Sequence, residues 1–547
     1  MPSVSAHIAA ALATHVTDAF GVMGNGNAYL LDALARTSVQ FTPVRHEAAA
    51  VVSADAYYRA SGRLAVATMT YGAGFTNTAT AIVESARARV PVLLVAGDAP
   101  TTGLRDWDVD QPALATVLGA PTIAIGRERV VEATIEAIDL ALSTRGPVVL
   151  GVPYDLAEAD AGAIGTIPRV SEGTRVAPRP DAVAIVAEAL SAATRPLLLA
   201  GRGAHLAGAG RALGRVAGLA GALTTSTALG RGIFPDSRFD LGVAGGFGQD
   251  EAMHLARSAD VVVVFGASLN QFTTRFGDLF GPDAQVIQID ITDHPTHRRV
   301  NQFIHADALL AADAIADELA RRSGPTDSWR HSADLTSTRR RHSGDGVALD
   351  GRLDPRSVAV RLEELLPADR VVVSDGGHFI GWANTHWSVA APDRMVMVGT
   401  AFQSIGLGLG SVPGAARARP DSTIVLTTGD GGGLMALADL ESAVRVAGGR
   451  GVAVFWNDAA YGAEVTLYGE AKGLDRAAML IPETDFAALG AALGAEGVVV
   501  RQLDDLDRLS AWAVTPVHER RFLVLDCRIS GSVIAPYQQE IIAVNTR

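Results

Sequence analysis

Two short segments in the C-terminal part of the chain carry residue types suited to metal and phosphate chemistry. Asp430 stands between Gly429 and Gly431, and a second segment, NDAAYG, runs from Asn457 to Gly462. Glycine lets a backbone approach phosphate oxygens closely, and a carboxylate is a hard oxygen ligand of the kind Mg²⁺ prefers. GDG alone fits an ordinary glycine turn equally well, so the predicted metal and phosphate site depends on both segments.

The residues around these segments predict a strand–helix–strand unit that brings them together. The β-branched run 423–428 predicts a buried strand, the turn 429–433 opens a helix to about Val446, and 452–456 is the next parallel strand. In such a unit both strand ends and the helix N-terminus lie at one edge of the sheet. That edge favours negative charge because of the helix dipole.

A second group of residues lies near the N-terminal end. Glu47 follows a strand-like run, 39–44, and precedes a predicted helix, 48–62. A strand, 64–70, and the segment TYGAGFTN, 70–77, come next. A lone glutamate at a helix N-terminus is explained by the helix dipole, so Glu47 acquires a functional meaning only through its neighbours.

Together these motifs resemble the thiamine diphosphate (ThDP) enzyme superfamily, in the branch of acetolactate synthase, pyruvate decarboxylase and benzaldehyde lyase. The family's GDG and NNxxYG anchor matches 429–431 and 457–462, and its HE and TSGPGATN pattern matches 46–77. The resemblance implies an α/β fold of three Rossmann-like parallel-sheet domains. These are expected at 1–160 (pyrimidine-binding), 183–322 (central) and 352–547 (diphosphate-binding).

The resemblance also implies which residues hold ThDP. Glu47 would exchange a proton with the aminopyrimidine ring. Ile405, in TAFQSIGLG, would be the apolar wedge that keeps the cofactor bent, and the Gln403 carbonyl would accept a hydrogen bond from the cofactor's amino group. Plain core packing is the alternative for Ile405. The other implied cofactor contacts are Thr70, Gly72, Asn77, His378, Phe379, Gly429, Asp430, Gly431, Gly432, Asp458, Ala460, Tyr461 and Gly462.

The implied Mg²⁺ ligands can be aligned in two ways. Relatives use the second Asn of NNxxYG, and their interval from the GDG aspartate is one residue shorter than Asp430 to Asp458. Alignment on the final Tyr-Gly selects Asp430, Asp458 and the Ala460 carbonyl, whereas alignment on the interval selects Asn457 and Ala459. We prefer the first, because the glycine-rich loop before the second strand can absorb an inserted residue.

The substrate side departs from the well-known relatives. Asp106-Trp107 stands near the position where acetolactate synthases carry Phe-Gln and pyruvate decarboxylases a His pair. We predict Asn25, Asp106 and Glu464 as catalytic pocket residues beside Glu47; a solvated loop position is the alternative for each. A 2-oxo acid brings negative charge, so at least one of Asp106, Asp108 and Glu464 is expected to have a raised pKa and act as a general acid.

The implied activity is formation or cleavage of C–C bonds next to a carbonyl. We expect decarboxylation of a 2-oxo acid such as pyruvate and transfer of the acyl carbanion equivalent to a carbonyl acceptor. A non-decarboxylating C–C lyase or 2-hydroxyacyl lyase and a catalytically idle regulatory homologue are the alternatives. Because Glu47 and Asp430 lie on different domains, the resemblance implies a homodimer or homotetramer with active sites at the subunit interface.

Composition narrows the remaining classes. A net charge of −13 argues against nucleic-acid and membrane-surface partners, and a single cysteine, Cys527, excludes a disulfide framework and a Cys-based zinc site. No signal peptide or membrane-length apolar run is seen, so a cytoplasmic enzyme is expected.

The glycines of 201–204 (GRGA) suggest a structural turn more than an FAD or other dinucleotide site. The polar stretch 323–351 is expected to be a solvated connector.

Overall fold

The computed structural model describes residues 1–171, 173–322 and 329–545, and in these residues three six-stranded sheets dominate the chain. Every strand pairing within the three sheets is parallel. The α/β fold with three parallel-sheet domains is thereby confirmed. Part of the predicted 323–351 connector, residues 323–328, lies outside the described residues, as do residues 546 and 547 at the end of the third predicted domain.

The first sheet has the order β2-β1-β3-β4-β6-β5. Its strands are Asp18–Gly21 (β1), Gln40–Pro43 (β2), Val66–Met69 (β3), Val92–Asp98 (β4), Thr122–Ala124 (β5) and Pro147–Pro153 (β6). The helices around it are Val4–Ala13 (α1), Ala28–Leu34 (α2), Glu47–Ser61 (α3), Ala73–Thr76 (α4), Ala79–Ala88 (α5), Gln111–Val117 (α6) and Val130–Thr144 (α7).

The central sheet has the order β12-β11-β10-β7-β8-β9, which is the doubly wound arrangement of a dinucleotide-type fold. Its strands are Pro196–Ala200 (β7), Leu223–Ser226 (β8), Asp240–Val243 (β9), Val261–Phe265 (β10), Gln285–Asp290 (β11) and Gln302–His305 (β12). The helices are Pro180–Ala192 (α8), Arg202–Leu206 (α9), Gly210–Ala220 (α10), Asp250–Arg257 (α11) and Ala308–Ala320 (α12).

The third sheet, β14-β13-β15-β16-β18-β17, repeats the strand order of the first. Its strands are Arg370–Ser374 (β13), Met395–Met397 (β14), Thr423–Gly429 (β15), Gly451–Asn457 (β16), Glu496–Val500 (β17) and Leu523–Arg528 (β18). Helix Trp329–Ser332 (α13) packs on the central domain, where the Arg330 guanidinium lies 4.3 Å from the centroid of the Phe239 ring. The helices of the third domain are Pro355–Leu365 (α14), Ile380–His386 (α15), Gly408–Ala418 (α16), Asp430–Met435 (α17), Ala438–Ala447 (α18), Gly462–Glu464 (α19), Phe486–Ala492 (α20), Asp507–Val514 (α21) and Pro536–Asn545 (α22).

The first and third domains share one hydrophobic core, whereas the central domain has clusters of its own. Helix α3 packs on α16 so closely that a Cβ at Gly410 would lie 2.9 Å from Ala49 Cβ. The buried Ser53 hydroxyl donates to the Gly410 carbonyl at 2.6 Å. Arg231 joins the central domain to the third by donating to the Trp387 carbonyl at 3.0 Å.

The structure departs from the sequence pattern at two elements. Residues 3–20 carry helix signals and are expected to form one helix, but the helix ends at Ala13, and Asp18–Gly21 forms a buried strand between β2 and β3. Four residues are too few for periodicity to separate strand from helix, so tertiary pairing decides. The helix predicted over 429–446 is broken at Ala436, where φ is −111° and ψ is 24°. Within the described residues, no helix is long and apolar enough to span a membrane.

Candidate functional site

Asp430 and Asp458 form a buried pair of carboxylates at the edge where β15 and β16 end. Asp430 begins α17 and accepts a hydrogen bond from the Gly431 N–H at 2.9 Å through Oδ1. Its other oxygen, Oδ2, and Oδ1 of Asp458 are buried without a hydrogen-bond partner. Burial, and then the charge of Asp458, raise the pKa of Asp430 to about 7. Two carboxylates with unpaired buried oxygens call for a cation between them.

His378 holds the second of these carboxylates. Its Nε2 lies 3.0 Å from Oδ2 of Asp458, whose side chain is 1 % exposed. Burial disfavours a charged imidazole, but the charge and hydrogen bond of Asp458, together with the charges of Asp430 and Glu464, outweigh burial and raise the pKa of His378. A Cβ at Gly462 would lie 2.6 Å from His378 Nε2, so the glycine leaves room for this contact.

Asn457 is engaged through its amide nitrogen. Its Nδ2 donates to Oδ1 of Asp526 at 2.9 Å and to the Thr484 carbonyl at 3.0 Å, whereas its Oδ1 is buried without a hydrogen-bond partner. The Ala459 carbonyl accepts from the Ile481 N–H at 2.8 Å, which favours Ala460 over Ala459 as the carbonyl ligand. Between Asp458 and Asn457, the charge of the carboxylate favours Asp458 as a ligand for Mg²⁺.

The glycines after Asp430 are set by close contacts with protein atoms. A Cβ at Gly431 would lie 2.7 Å from the Tyr461 ring, one at Gly432 2.8 Å from Asp375 Oδ2, and one at Gly433 2.6 Å from the Phe455 ring. A Cβ at Gly429 would lie 3.0 Å from the Phe379 ring. The sequence reasoning assigned these glycines to phosphate approach alone, and the packing of neighbouring side chains is a second reason for them.

The segment with the predicted wedge is a loop before α16. Gln403 is exposed and has φ of +58°, a left-handed conformation that is uncommon outside glycine. Ile405 is only partly buried although its side chain is apolar, and Gly406 has φ of +81°. An apolar side chain held at the surface in a strained loop fits a wedge for a bound ligand better than it fits plain core packing.

Glu47 lies in the first domain with a hydrogen-bonded set of its own. Asn77 Nδ2 donates to Oε2 of Glu47 at 2.9 Å. Oε1 lies 3.3 Å from where a Cβ of Gly74 would stand, and the same Cβ would lie 2.7 Å from Thr70 Cγ2. The structure therefore brings Glu47, Thr70 and Asn77 together. In the described part of the chain, no hydrogen bond or ion pair joins Glu47 to Asp430 or Asp458.

Gly72 is held by Gln111, which the sequence reasoning missed. The buried Gln111 accepts from the Gly72 N–H at 2.6 Å and donates to the Gly97 carbonyl at 2.9 Å. It thereby ties the loop after β3 to the end of β4. In the sequence, the one feature that could have singled out Gln111 is its position at the start of a helix, directly after the segment 104–110.

On the predicted substrate side, a series of polar and aromatic side chains contact one another. Asn25 donates to the Tyr71 hydroxyl at 2.6 Å and accepts from Thr70 Oγ1 at 3.0 Å. The Arg105 guanidinium lies over the Tyr71 ring, 4.5 Å from its centroid, and over the Tyr154 ring at 5.2 Å. Asn25 is thus placed at the sheet edge that carries Thr70, and Tyr71 and Arg105 join it there.

The predicted acids on this side behave differently from one another. Asp108 binds Arg105 through two hydrogen bonds, at 2.8 and 2.9 Å. These bonds lower the pKa of Asp108, so the expected raised pKa is wrong for this residue. Asp106 and Glu464 are exposed, a position that fits the solvated alternative.

The glycine pair of the central domain packs against its neighbouring loop. A Cβ at Gly201 would lie 2.6 Å from Ala267 Cβ, and one at Gly203 would lie 2.8 Å from the Gly266 carbonyl oxygen. Arg202 donates to the Arg89 carbonyl of the first domain at 3.1 Å. Close backbone packing accounts for these glycines and favours the structural interpretation over an FAD site.

The residues present fit a divalent cation that arrives with a phosphorylated ligand. The described residues contain no group of three or more His, Cys, Asp or Glu side chains that could hold a metal alone. Asp430 and Asp458 would therefore need a backbone carbonyl and ligand oxygens to complete the oxygen shell that Mg²⁺ requires.

Comparison with known proteins gives consistent matches along the chain. Three models of thiamine pyrophosphate enzymes match: the N-terminal TPP binding domain at residues 2–116, the central domain at 183–315 and the C-terminal TPP binding domain at 375–527. A sulfoacetaldehyde acetyltransferase of Alcaligenes xylosoxydans xylosoxydans is 26 % identical, over 100 % of this chain and 96 % of its own. Acetolactate synthase isozyme 2 large subunit of Escherichia coli (strain K12) is 28 % identical, over 79 % and 78 %.

Solved structures agree at the level of the fold. A thiamine diphosphate-dependent 4-hydroxybenzoylformate decarboxylase of Rhodococcus jostii RHA1 superposes with a TM-score of 0.80 at 20 % identity, covering 97 % of this chain and 99 % of that one. A putative thiamin diphosphate-dependent enzyme of Mycobacterium smegmatis gives 0.79 at 22 % identity, covering 96 % and 99 %.

Proposed function

The chain belongs to the thiamine pyrophosphate enzyme family, and we propose that it uses ThDP and Mg²⁺ to break and form C–C bonds next to a carbonyl. The observation that carries the metal half of this proposal is the pair of unpartnered, buried oxygens of Asp430 and Asp458. Mg²⁺ bound there would link the carboxylates to the diphosphate. When bound, ThDP supplies a carbanion that attacks carbonyl carbon and stabilises the negative charge left on it.

The protein's own part in this chemistry begins with Glu47. Asn77 holds Oε2 of Glu47, which leaves Oε1 to exchange a proton with a ring nitrogen of the aminopyrimidine. A positioned acid or base of this kind contributes about 10²–10⁴-fold to a rate. Ile405 would keep the two rings of the cofactor bent towards each other, and the Gln403 carbonyl would accept from the amino group.

The remaining contacts are proposed from their places around these groups. Gly429, Gly431, Gly432, Tyr461 and Gly462 surround the carboxylate pair, while His378 and Phe379 pack against it from the loop after β13. Thr70 and Gly72 lie on the Glu47 side. The Ala460 carbonyl is proposed as the third protein ligand of Mg²⁺.

For the substrate, we propose a 2-oxo acid donor such as pyruvate and a carbonyl acceptor that receives the acyl carbanion equivalent. The names of the relatives, an acetyltransferase and an acetolactate synthase, support acyl transfer. Asn25, Tyr71 and Arg105 would form the wall that the substrate meets. A non-decarboxylating lyase is the second candidate, supported by the absence of a His pair in 104–111. The retained Glu47 and the carboxylate pair speak against an idle homologue.

We also propose that each active site is completed by two chains. Glu47 bonds to Asn77 within the first domain, and Asp430 meets Asp458 and His378 within the third. Separate neighbours for the two halves support a homodimer or homotetramer in which the halves meet across the subunit interface. The domain boundaries 1–160, 183–322 and 352–547, a cytoplasmic location and a central domain without FAD belong to the same proposal.

A donor and acceptor screen tests this function. Purified protein with ThDP and Mg²⁺ is incubated with pyruvate and other 2-oxo acids, alone and with aldehydes or a second oxo acid, and products are identified by mass spectrometry. The proposal predicts CO₂ release and a product lengthened by the acyl group, neither of which Glu47→Gln forms at a comparable rate. Cleavage of 2-hydroxy ketones without CO₂ release would instead support the lyase.

A further inference from the structure

Asp375 is a buried carboxylate that the proposed chemistry leaves unassigned. It follows β13 directly and is 1 % exposed. Four donors reach it: Oδ1 accepts from the N–H groups of Gly376 at 2.8 Å and Leu407 at 3.1 Å, and Oδ2 accepts from the Gly406 N–H at 3.2 Å and the Thr428 hydroxyl at 3.0 Å.

These donors come from two loops and the end of a strand. Gly406 and Leu407 end the loop that carries Gln403 and Ile405, while Thr428 precedes the glycine turn at Asp430. The carboxylate of Asp375 is therefore the shared acceptor that links the loop after β13, the Ile405 loop and the end of β15.

The Ile405 loop needs such an anchor because its backbone is strained at Gln403, which has a φ of +58°. A non-glycine residue held in this sparsely populated region persists only when its surroundings enforce it. Gly406, with a φ of +81°, adopts its conformation freely and needs its neighbours to fix it. The two N–H groups that bind Asp375 come immediately after Ile405, at the point where the loop must be fixed before α16 begins.

The packing around Asp375 preserves space for the carboxylate. A Cβ at Gly408 would lie 2.7 Å from Asp375 Cβ, and a Cβ at Gly432 would lie 2.8 Å from Oδ2. No ion pair to Asp375 is found among the described residues, so its four hydrogen bonds alone offset the cost of burying a charge. An apolar side chain in its place would leave these four donors without their acceptor, so the carboxylate is what holds together the segments that carry them.

We propose that Asp375 is a positioning residue that fixes the Ile405 loop against the glycine turn 429–433, which contains the proposed metal ligand Asp430. Asp375 thereby holds Ile405 where it bends the cofactor. The inference rests on the proposed ThDP site. Its first consequence concerns the protein alone: the amide hydrogens of Gly406 and Leu407 are protected from solvent exchange by Asp375. Its second concerns the cofactor: bound ThDP reaches the bent, reactive conformation only when this anchor is intact.

Asp375→Asn tests both consequences, because the substitution keeps the shape and presents an NH₂ group to two of the four donors. We expect peptide-level hydrogen exchange over 403–408 to accelerate about tenfold or more in the ligand-free protein. With saturating ThDP and Mg²⁺, we expect deuterium exchange at cofactor C2 to slow by about tenfold or more, because displacements near 1 Å can cost about 10²-fold. The Kd for ThDP should change less than the C2 exchange rate does.

Asp354→Asn is the matched control. Asp354 is also a buried carboxylate of the third domain, 1 % exposed, but it caps α14, where it accepts from the Arg356 N–H at 2.8 Å. Both exchange rates should stay within about twofold of wild type in this variant. Thr428→Val removes one donor without changing the carboxylate. It should accelerate amide exchange over 403–408 and slow exchange at C2, as Asp375→Asn does, but by smaller factors. It carries the test if Asp375→Asn does not fold.

The outcomes separate this inference from the proposed function. If wild type fails to bind ThDP, the proposed function is wrong, yet faster exchange over 403–408 in the variant still supports the anchor. If wild type binds ThDP and both rates in Asp375→Asn and Thr428→Val remain within twofold of wild type, the positioning role is overturned. A rise in the Kd for ThDP that matches the fall in the C2 exchange rate, with unchanged exchange over 403–408, also overturns it.

Discussion

Replacing Asp458 with alanine should remove the metal from the site while leaving the fold intact. Asp458 and Asp430 each have an unpartnered buried oxygen, and they repel each other in the absence of a cation. Removing one carboxylate relieves that repulsion but leaves His378 without its partner, so the net change in unfolding free energy should be small, about 1 kcal/mol or less. Loss of an outer partner of a metal ligand typically costs 10–100-fold in affinity, so loss of the ligand itself should cost about 100-fold or more.

Asn457→Ala should lower the stability of the protein and leave its affinity for Mg²⁺ nearly unchanged. Its Nδ2 donates to Asp526 and to the Thr484 carbonyl, both inside the domain. The substitution leaves two buried acceptors with one partner fewer, which should lower the unfolding free energy by about 1–3 kcal/mol. The affinity for Mg²⁺ should stay within about tenfold of wild type, because the proposed ligands Asp430 and Asp458 keep their carboxylates.

Two measurements on the same three proteins decide between the alignments. Calorimetric titration of Mg²⁺ at saturating ThDP gives the metal affinity, and urea unfolding of the ligand-free proteins gives stability. Weak Mg²⁺ binding in Asn457→Ala together with near-normal binding in Asp458→Ala would refute the reasoning and return the ligand set to Asn457 and Ala459.

Three further predictions follow from the described contacts. Burial raises the pKa of Asp439 to about 6 from 3.8, so its contribution to the unfolding free energy is complete below pH 4 and is lost as the pH rises through 6. Relative to Asp439→Asn, wild type should lose up to about 3 kcal/mol of unfolding free energy between pH 4 and pH 8, measured by urea unfolding. A difference between the two proteins that stays constant with pH would contradict this prediction. Gln111→Ala releases the Gly72 N–H and the Gly97 carbonyl, so the Kd for ThDP should rise about tenfold by calorimetry with metal affinity unchanged. Asp106→Asn and Glu464→Gln should each leave the basic limb of the kcat/KM pH profile in place, because both side chains are exposed; a shift of that limb in either variant would restore the residue as a general acid.

Much of the fold could be predicted from the sequence because buried parallel strands are continuous apolar runs. The strands predicted at 423–428 and 452–456 agree with β15 and β16 to within one residue at each end. Runs of β-branched residues between glycine turns leave few alternatives to a strand. Short elements were harder. Asp18–Gly21 has four residues, and only its pairing with strands distant in sequence makes it a strand.

The site was predicted best where a motif is continuous in sequence and least where contacts join distant residues. Asp430 and Asp458 could be singled out from their motifs, but nothing in the sequence shows that Asn457 turns towards Asp526. The bonds of Asp375 to Gly406 and Thr428 join residues 31 and 53 positions apart, a distance that local patterns cannot bridge. Arg105 pairs with Asp108 three residues on, and that spacing was a signal that went unused.

The most direct test of the central claim is the rate of deuterium exchange at C2 of ThDP bound to the wild-type protein and to Glu47→Gln. Gln preserves the hydrogen bond to Asn77 and the side-chain volume, so the variant should bind ThDP and Mg²⁺ nearly as wild type does. We expect fast exchange in wild type and exchange slower by about 10²–10⁴-fold in the variant. Equal exchange rates in the two proteins, or no binding of ThDP by wild type, would contradict it.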